Sequence, residues 1–401
     1  MASERLRLLG AMERSMKAQE VILRVMSGQL KWYQAAEILG VSSRQMRRWR
    51  ARYQKQGVEG LRDNRKIKIS PKRIPFETAE KVLQLYREKY SGFNVLHFHE
   101  ELKEVYKIKI SYTWTKNLLQ ESGLVTKEKK RGKYFRRRER RPLTGMLLHL
   151  DGSEHRWFEH KMDQRQSLIA IIDDADSKCL SAGFYPEEGT REVLEILQGV
   201  VQKHGTFVSL YTDRAGHFVY TPEAGGPPDR NVKTQVEQVL DDLGIELIVA
   251  RTPQARGRGE RAWGTMQGRL PQELKLANIT SYEAANRYLN QVFIPKYNRK
   301  FSVVPTEEGS AFIRTIGVNL KRIFARRYER TVEKDNTIQF QNRRLQLPKI
   351  TGVSTLAKRK VEIREHLDGI LEVLRGTQLI AEFPAQETEA EEADELMASA
   401  N

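Results

Sequence analysis

A chain of 401 residues is long enough for several domains, and its 39% of hydrophobic residues can form ordinary globular cores. No stretch reaches the roughly 18–20 apolar residues of a membrane span, and the charged N-terminal segment lacks the apolar region of an export signal. The single cysteine, Cys179, excludes an intramolecular disulfide framework and cysteine-rich zinc sites. We therefore expect a protein of a reducing cytosol, in which Cys179 packs in a core.

The positive charge lies in the first third of the chain. Residues 1–142 hold 35 Lys and Arg against 15 Asp and Glu, a net charge of +20, whereas the remainder holds 34 against 37. Such a concentration predicts a module that binds a polyanion. Because no basic segment there has a wide apolar face, nucleic acid is favoured over a membrane surface.

Residues 33–53, YQAAEILGVSSRQMRRWRARY, predict a helix-turn-helix in an all-α first domain at 1–70. Gly40 supplies the turn, and Ser42 with Gln45 has the spacing of a capping box at the start of the second helix. The candidates for contact with bases and phosphates in a major groove are Arg44, Gln45, Arg47 and Arg48. The alternative is an ordinary helical hairpin with a solvated arginine face.

A second helical domain, with the basic linker that follows it, is predicted at 71–142. Its segment YKIKISYTWTKNLLQESGL contains a turn, a helix start rich in Ser and Thr, and an apolar helix, as a second helix-turn-helix would. His97 and His99 suggest a metal site. Because no second cluster of ligands lies nearby, roles in helix packing and at the surface are favoured.

The basic run 127–141, KEKKRGKYFRRRERR, holds ten basic residues and two acidic ones. A segment of this composition cannot bury itself, so we expect it to be extended until it meets DNA, with binding that weakens as salt rises. The DNA-binding candidates in this run are Lys130, Arg131, Arg136, Arg137 and Arg138.

Residues 143–315 predict a mixed α/β domain. Three strands come first, followed by helix, strand, helix, strand and helix, an order that indicates both antiparallel and parallel pairing. Acidic residues at 173–176 fall in the turn between the second and third strands, and a hairpin turn explains them without a metal.

Three further carboxylates stand where the predicted elements can converge. Asp151 follows the strand MLLHL, Asp213 follows the strand FVSLYT, and Glu260 lies at a helix start after the loop RTPQARGRG. Three converging carboxylates repel one another and usually require a divalent metal, and oxygen ligands favour Mg²⁺ or Mn²⁺. Two such ions about 3.5–4 Å apart can activate an attacking oxygen and stabilise a leaving oxygen in phosphoryl transfer.

Arginines surround Glu260 in the sequence. We interpret Arg256, Arg258 and Arg261 as clamps for phosphate groups beside the carboxylates. The alternative for each is a solvated charge or an ion pair with Glu260.

The helix that starts near Glu260 has two different faces. Trp263, Met266 and Leu270 form an apolar stripe that should pack against the sheet. Gln267 falls on the face of Glu260, where it approaches DNA or remains solvated. The preceding glycines also match the dinucleotide fingerprint G-x-G-x-x-A, but about six residues separate them from the strand GIELIVA and no complete Rossmann unit surrounds them.

Beyond residue 315 the sequence changes to short alternating segments separated by DN, NR and DG turn signals. These predict a small β-barrel at 316–383. The stretch 384–401 is acidic, contains no basic residue, and is predicted to be disordered.

Three blocks of the predicted core, LHLDGSEH, LYTDRAGHF and TPQARGRGERAWGTMQGRL, closely resemble the active-site blocks of the DDE transposases of the retroviral-integrase superfamily. Within it the chain looks nearest to the ISNCY-type transposases of bacterial insertion sequences, and the resemblance covers most of its length. The resemblance implies an RNase H-like core in which Asp151, Asp213 and Glu260 bind two Mg²⁺ ions, which Mn²⁺ can replace. The sequence departs from the family pattern at Gly259, where a larger residue is expected, in the AGHF after Asp213, and in an insertion at 219–234.

The resemblance further implies an enzyme that binds double-stranded DNA at transposon ends, nicks it, and joins the freed 3′-hydroxyl to target DNA. It implies a dimer or larger assembly in the bacterial cytosol, associated with the nucleoid, with no membrane and no small-molecule cofactor. The alternatives are a domesticated, sequence-specific DNA-binding regulator without strand transfer, and a structure-selective nuclease on the same core. All three carboxylates are present, and two helix-turn-helix candidates suggest that a defined terminal sequence is bound, so an active transposase is the favoured hypothesis.

Overall fold

The structure is a computed structural model, and it describes residues 13, 16–61, 74–127, 139–158, 165–223, 226, 229, 231–250, 257–350 and 353–385. The chain divides into two compact units, Met1–Lys81 and Val82–Asn401. In the part of the chain that the structure describes, none of the helices is long and apolar enough to cross a bilayer.

The first unit contains the predicted helix-turn-helix. Helix α1 covers residues 16–26, α2 covers Trp32–Ile38 and α3 covers Ser43–Gln56, and a 3₁₀ turn follows at Gly57–Leu61. Gly40, between α2 and α3, has a φ of +61°, which glycine adopts without strain. The Ser42 hydroxyl accepts a bond from the Gln45 amide at 3.3 Å and so caps α3. Met46 is buried in the core that α3 shares with α1 and α2.

Three helices follow: α4 at Phe76–Glu88, which begins in the first unit, α5 at Val95–Glu104, and α6 at Tyr112–Glu121. The side chains of Asn94 and Ser111 cap α5 and α6 by accepting a bond from the amide three residues on. Aromatic and leucine side chains of this helical block form a core of their own. His97 and His99 are both buried, so they pack inside the protein.

Five strands form the central sheet: β1 at Leu147–His155, β2 at Gln166–Asp173, β3 at Cys179–Tyr185, β4 at Ser209–Thr212 and β5 at Glu246–Val249. Their order is β3-β2-β1-β4-β5. The first three are antiparallel neighbours, whereas β4 lies parallel to β1 and β5 lies parallel to β4. The predicted mixed α/β core is confirmed, with β1 at its centre.

Helices cover both faces of this sheet. On one face lie α7 at Thr190–His204 and α8 at Gln235–Asp242. On the other lie α9 at Gly257–Gln267, α10 at Leu270–Leu276, α11 at Tyr282–Tyr288, a π-helical turn at Leu289–Phe293, and α12 at Ile294–Phe301. Because both faces are covered, every residue of β2 is buried. Cys179 is buried in the layer between the sheet and α9–α12, which confirms its predicted packing role.

The acidic turn between β2 and β3 anchors the chain where it enters the sheet. Asp173 accepts a bond from the Gly145 amide, and Asp174 accepts one from the Arg141 amide, both at 2.8 Å. The guanidinium of Arg140 donates to the carbonyl oxygen of Asp174 at 2.9 Å. The predicted turn is therefore present, but its carboxylates are buried because they hold the end of the basic run against the core.

The C-terminal part contains a short helix and six strands: α13 at Leu320–Ile323, β6 at Arg326–Thr331, β7 at Thr337–Phe340, β8 at Arg343–Gln346, β9 at Lys360–Glu365, β10 at Leu371–Arg375 and β11 at Gln378–Phe383. An antiparallel sheet has the order β11-β10-β9-β6, and β7 and β8 form a separate hairpin. The predicted β-barrel is wrong, because β6 and β11 are edges that do not pair with each other among the described residues. Barrel closure depends on such a long-range pairing, and alternation and turn signals are local.

Candidate active site

The first two predicted carboxylates lie just beyond the paired part of two neighbouring strands. In the parallel pair of β1 and β4, His149 lies opposite Tyr211. Asp151 lies two residues after His149 on β1, and Asp213 lies two residues after Tyr211, directly after the last residue of β4. Continuation of this register would set both side chains on the same face of the sheet, on strands about 4.8 Å apart.

Hydrogen bonds orient both carboxylates. Oδ2 of Asp151 accepts the indole Nε1–H of Trp263 at 3.0 Å, which ties β1 to α9. Oδ1 of Asp213 accepts the amide of Ala215 at 2.9 Å, the geometry of an Asx turn. The amide of the buried Phe218 closes the same loop by donating to the Ala215 carbonyl oxygen at 2.9 Å. Asp151 is thus held by a side chain of α9, and Asp213 by the loop in which it lies.

Glu260 lies next to the face of α9 that meets Asp151. A Cβ at Gly259 would be 3.7 Å from Asp151 Oδ2, and Trp263, one turn later, donates to the same oxygen. Glu260 is about 100° further round the helix from Gly259, and its side chain is exposed. Within the described ranges, no three His, Cys, Asp or Glu side chains are grouped as metal ligands. The structure thus places Asp151 on β1, Asp213 directly after β4, and Glu260 on the helix that contacts Asp151.

The predicted apolar stripe is buried against the sheet, but it spans two helices. Trp263 and Met266 lie on α9, and Leu270 is the first residue of α10. The half-buried Gln267 donates from its side-chain amide to Oγ of Ser153 at 3.0 Å, so in the free chain it contacts β1. Arg261 is exposed and lines a cavity of about 190 Å³ beside α9.

The other predicted DNA-binding residues fall partly outside the described part of the chain. In the first unit, Arg44, Arg47 and Arg48 are exposed, and Gln45 is half-buried. Outside the described residues lie Lys130, Arg131, Arg136, Arg137, Arg138 and Arg256, together with the side chain of Arg258.

The sequence did not predict a role at the site for two residues that the structure places there. They are Glu188, just before α7, and His217, four residues after Asp213. A Cβ at Gly152 would lie 1.7 Å from Oε2 of Glu188, so this carboxylate occupies the space beside the β1 backbone. The other oxygen of Glu188 lies 3.1 Å from Nε2 of His217. Glu188 therefore links the strand of Asp151 to the loop of Asp213. The available signal was a glycine inside a strand, which often marks a close approach of another group.

Sequence comparison identifies relatives over most of the chain. A helix-turn-helix domain model matches residues 19–69. The chain is 30% identical over 368 residues to "Putative transposase y4bF" of Sinorhizobium fredii (strain NBRC 101917 / NGR234), which covers 91% of this chain and 80% of that protein. It is also 30% identical over 361 residues to the transposase for insertion sequence IS1202 of Streptococcus pneumoniae, covering 80% of this chain and 76% of that protein.

Solved structures resemble the chain more distantly. A simian T-cell lymphotropic virus intasome in complex with PP2A regulatory subunit B56 gamma matches at 12% identity and a TM-score of 0.32, over 76% of this chain and 96% of that chain. The dimeric HTLV-2 integrase catalytic core domain in complex with magnesium matches at 15% identity and a TM-score of 0.28, over 37% and 89%. These scores are too low to carry an argument, so family membership rests on the sequence relatives.

Proposed function

The chain belongs to the transposases of bacterial insertion sequences, and from that premise we propose that it is a DDE enzyme that binds the ends of its element, cleaves them with Mg²⁺, and joins the freed 3′-hydroxyl to target DNA. The observation that carries the proposal is the parallel pairing of β1 with β4, which sets His149 opposite Tyr211, two residues before Asp151 and Asp213. Two carboxylates side by side repel each other, and a bound divalent cation relieves that repulsion. Their hard oxygen atoms fit Mg²⁺, or Mn²⁺ in its place.

We propose Glu260 as the third ligand of a site that holds two ions. Its position one residue after Gly259, which borders Asp151, supports this role. Two ions bound there would activate the attacking oxygen and stabilise the leaving oxygen. The protein's own part is to hold the carboxylates: the Trp263 indole orients Asp151, and the Ala215 amide orients Asp213.

DNA contacts are proposed for three parts of the chain. The exposed arginines of α3 would bind the terminal sequence in a major groove, and the basic run 127–141 would follow the phosphate backbone. Beside the carboxylates, Arg256, Arg258 and Arg261 would neutralise phosphates, and Gln267 would exchange its bond to Ser153 for one to DNA. These contacts displace counterions, so end binding should weaken steeply as salt rises.

Joining an element to a target requires that its two ends be held together. Each end needs one helix-turn-helix and one set of carboxylates, and closed symmetric assemblies are the common way to present two copies of a site. We therefore propose a dimer or larger homo-oligomer on DNA.

The test is end cleavage and strand joining in Mg²⁺ or Mn²⁺, with the DNA that flanks the gene as substrate. We expect Asp151→Asn, Asp213→Asn and Glu260→Gln each to lower the cleavage rate by at least about a hundredfold, because each removes a charged metal ligand. Asp241→Asn, on the exposed side of α8, is the matched control and should retain activity. End binding and the melting temperature should stay unchanged in all four variants. Tight end binding by the wild type without cleavage would instead support a DNA-binding regulator.

A further inference from the structure

The helical block of α4–α6 packs on the core through a buried polar contact. The face of α5 that carries His97, Glu100 and Glu101 lies against the junction of α9 with α10 and against α12. The facing charged residues are Arg269, Glu273, Lys296 and Lys300. Three carboxylates thus meet three cations around a histidine that is fully buried. A contact of this composition has a defined geometry, because each buried charge needs its partner.

Asn94 holds two helix ends with one side chain. Its Oδ1 accepts the amide of His97 at 2.8 Å and caps the N-terminus of α5. Its Nδ2 donates to the carbonyl oxygen of Gly268 at 2.7 Å, immediately after the last residue of α9. Carbonyl groups at the end of a helix lack an intrahelical donor, and Asn94 supplies one from the other side of the contact.

Glu100 binds Arg269, the next residue of the junction between α9 and α10. Both of its oxygens accept bonds from the Arg269 guanidinium, at 2.6 and 3.2 Å, and Lys300 also contacts it. Arg269 is 5% exposed and lies over the ring of Phe301 at 5.1 Å. Burial alone would raise the pKa of Glu100, but the bonds from Arg269 and Lys300 hold it below its ordinary value. Glu100 is therefore a charged, bidentate anchor for the start of α10.

A third contact completes the attachment. Oε1 of Glu273, on α10, lies 3.0 Å from Nε2 of His97, and Oε2 accepts the hydroxyl of Tyr288 at 2.9 Å. Lys296 on α12 lies 3.1 Å from Glu101. The junction between α9 and α10 is thus held from α5 at Gly268, Arg269 and Glu273.

The attached helix is the one that carries Glu260. Gly268 lies eight residues beyond Glu260, or about 12 Å along the axis at the usual helical rise. Elsewhere, α9 contacts β1 through Trp263 and Gln267. A rigid helix with contacts on its side and at its end cannot slide or rotate, and misplacing a reacting group by about 1 Å can cost a hundredfold in rate.

We propose that Asn94 and Glu100 are positioning residues for the reaction: they fix the axial position and rotation of α9, and with it the placement of Glu260 relative to Asp151. This inference rests on the proposed function, in which Glu260 acts with Asp151. It assigns to the helical block a structural part in the chemistry, in addition to any contact with DNA.

The test separates the two bonds of Asn94. Asn94→Asp and Asn94→Ser both keep an oxygen that can cap α5, and both remove the amide that donates to Gly268. Ser281→Asp is the matched control, because it introduces the same charge at the exposed cap of α11 and also keeps an acceptor for the Ala284 amide. The full-length protein is compared by hydrogen exchange of the peptide 257–267, by end-binding affinity, by melting temperature, and by single-turnover cleavage of the element's terminal DNA.

We expect both Asn94 variants to speed exchange at the end of α9 by about tenfold and to lower the cleavage rate at saturating DNA by at least about tenfold. The DNA concentration for half-saturation should stay unchanged, and Ser281→Asp should behave as the wild type. Unchanged exchange in α9, or a cleavage rate equal to that of the control, would overturn the inference. Absence of cleavage by the wild type would overturn the proposed function and the catalytic part of this inference, while the exchange measurement would still decide whether α5 holds α9.

Discussion

The bond between Trp263 and Asp151 offers a direct measure of how much the orientation of one carboxylate matters. In Trp263→Phe the Nε1–H that donates to Asp151 Oδ2 at 3.0 Å is lost, while an aromatic ring remains in the buried layer between α9 and the sheet. A hydrogen bond to a charged group contributes about 1.5–3 kcal/mol net. If that contribution is fully expressed in the transition state, cleavage should slow by about 10- to 150-fold.

Trp157→Phe is the matched control for this substitution. Trp157 is buried in the same hydrophobic layer, and its Nε1–H donates to the carbonyl oxygen of Ser153 at 3.1 Å instead of to a carboxylate. Both variants lose similar volume and one hydrogen bond, so both should lose about 1–3 kcal/mol of unfolding free energy. Single-turnover cleavage at saturating DNA, with thermal melting alongside, distinguishes them. Equal cleavage rates in the two variants would refute the role assigned to the Trp263 indole.

Two further predictions concern groups around the strands. Glu188→Ala should slow cleavage by about tenfold at unchanged end binding, because it removes the contact between the loop of Asp213 and the carboxylate beside β1. Glu187→Ala, at an exposed neighbouring position, is the control and should not slow cleavage. Equal cleavage rates in the two variants would contradict the role of the contact with His217. Burial raises the pKa of Asp173 from 3.8 to about 6. Between these two pH values the native state binds more protons at this carboxyl than the unfolded state does. The contribution of Asp173 to the free energy of unfolding therefore falls as pH rises from about 4 to 6. Asp173→Asn should flatten that part of the pH profile of unfolding free energy, and an unchanged slope would contradict it.

The parts of the site that depend on one strand pair were predictable from local pattern. Asp151 and Asp213 each follow an apolar segment of strand character, and these two segments pair in parallel as β1 and β4. The stripe of Trp263, Met266 and Leu270 also follows from helical spacing. In these cases, the signal and the contact lie on the same element or on neighbouring ones.

The parts that depend on distant partners were not predictable in the same way. The sequence at Asp173 and Asp174 predicts only a hairpin turn, because nothing in it shows that the amides of Gly145 and Arg141 donate to these carboxylates. The edge strands of the C-terminal sheet show the same limit, since alternation identifies strands without showing which of them pair. The pair of Glu100 and Arg269 joins residues 169 positions apart, and each alone has the appearance of an ordinary surface charge.

This difference has a consequence for how the site is assembled. Asp151 lies on β1 and Asp213 directly follows β4, so their positions depend on two strands that pair with each other. Glu260 lies on α9, whose side contacts β1 and whose end contacts Asn94 at the start of α5, so its placement depends on three elements that are distant in the sequence. A displacement of the helical block would therefore act on α9, and through it on Glu260 and on the Trp263 bond to Asp151, while Asp213 is held by the Ala215 amide of its own loop.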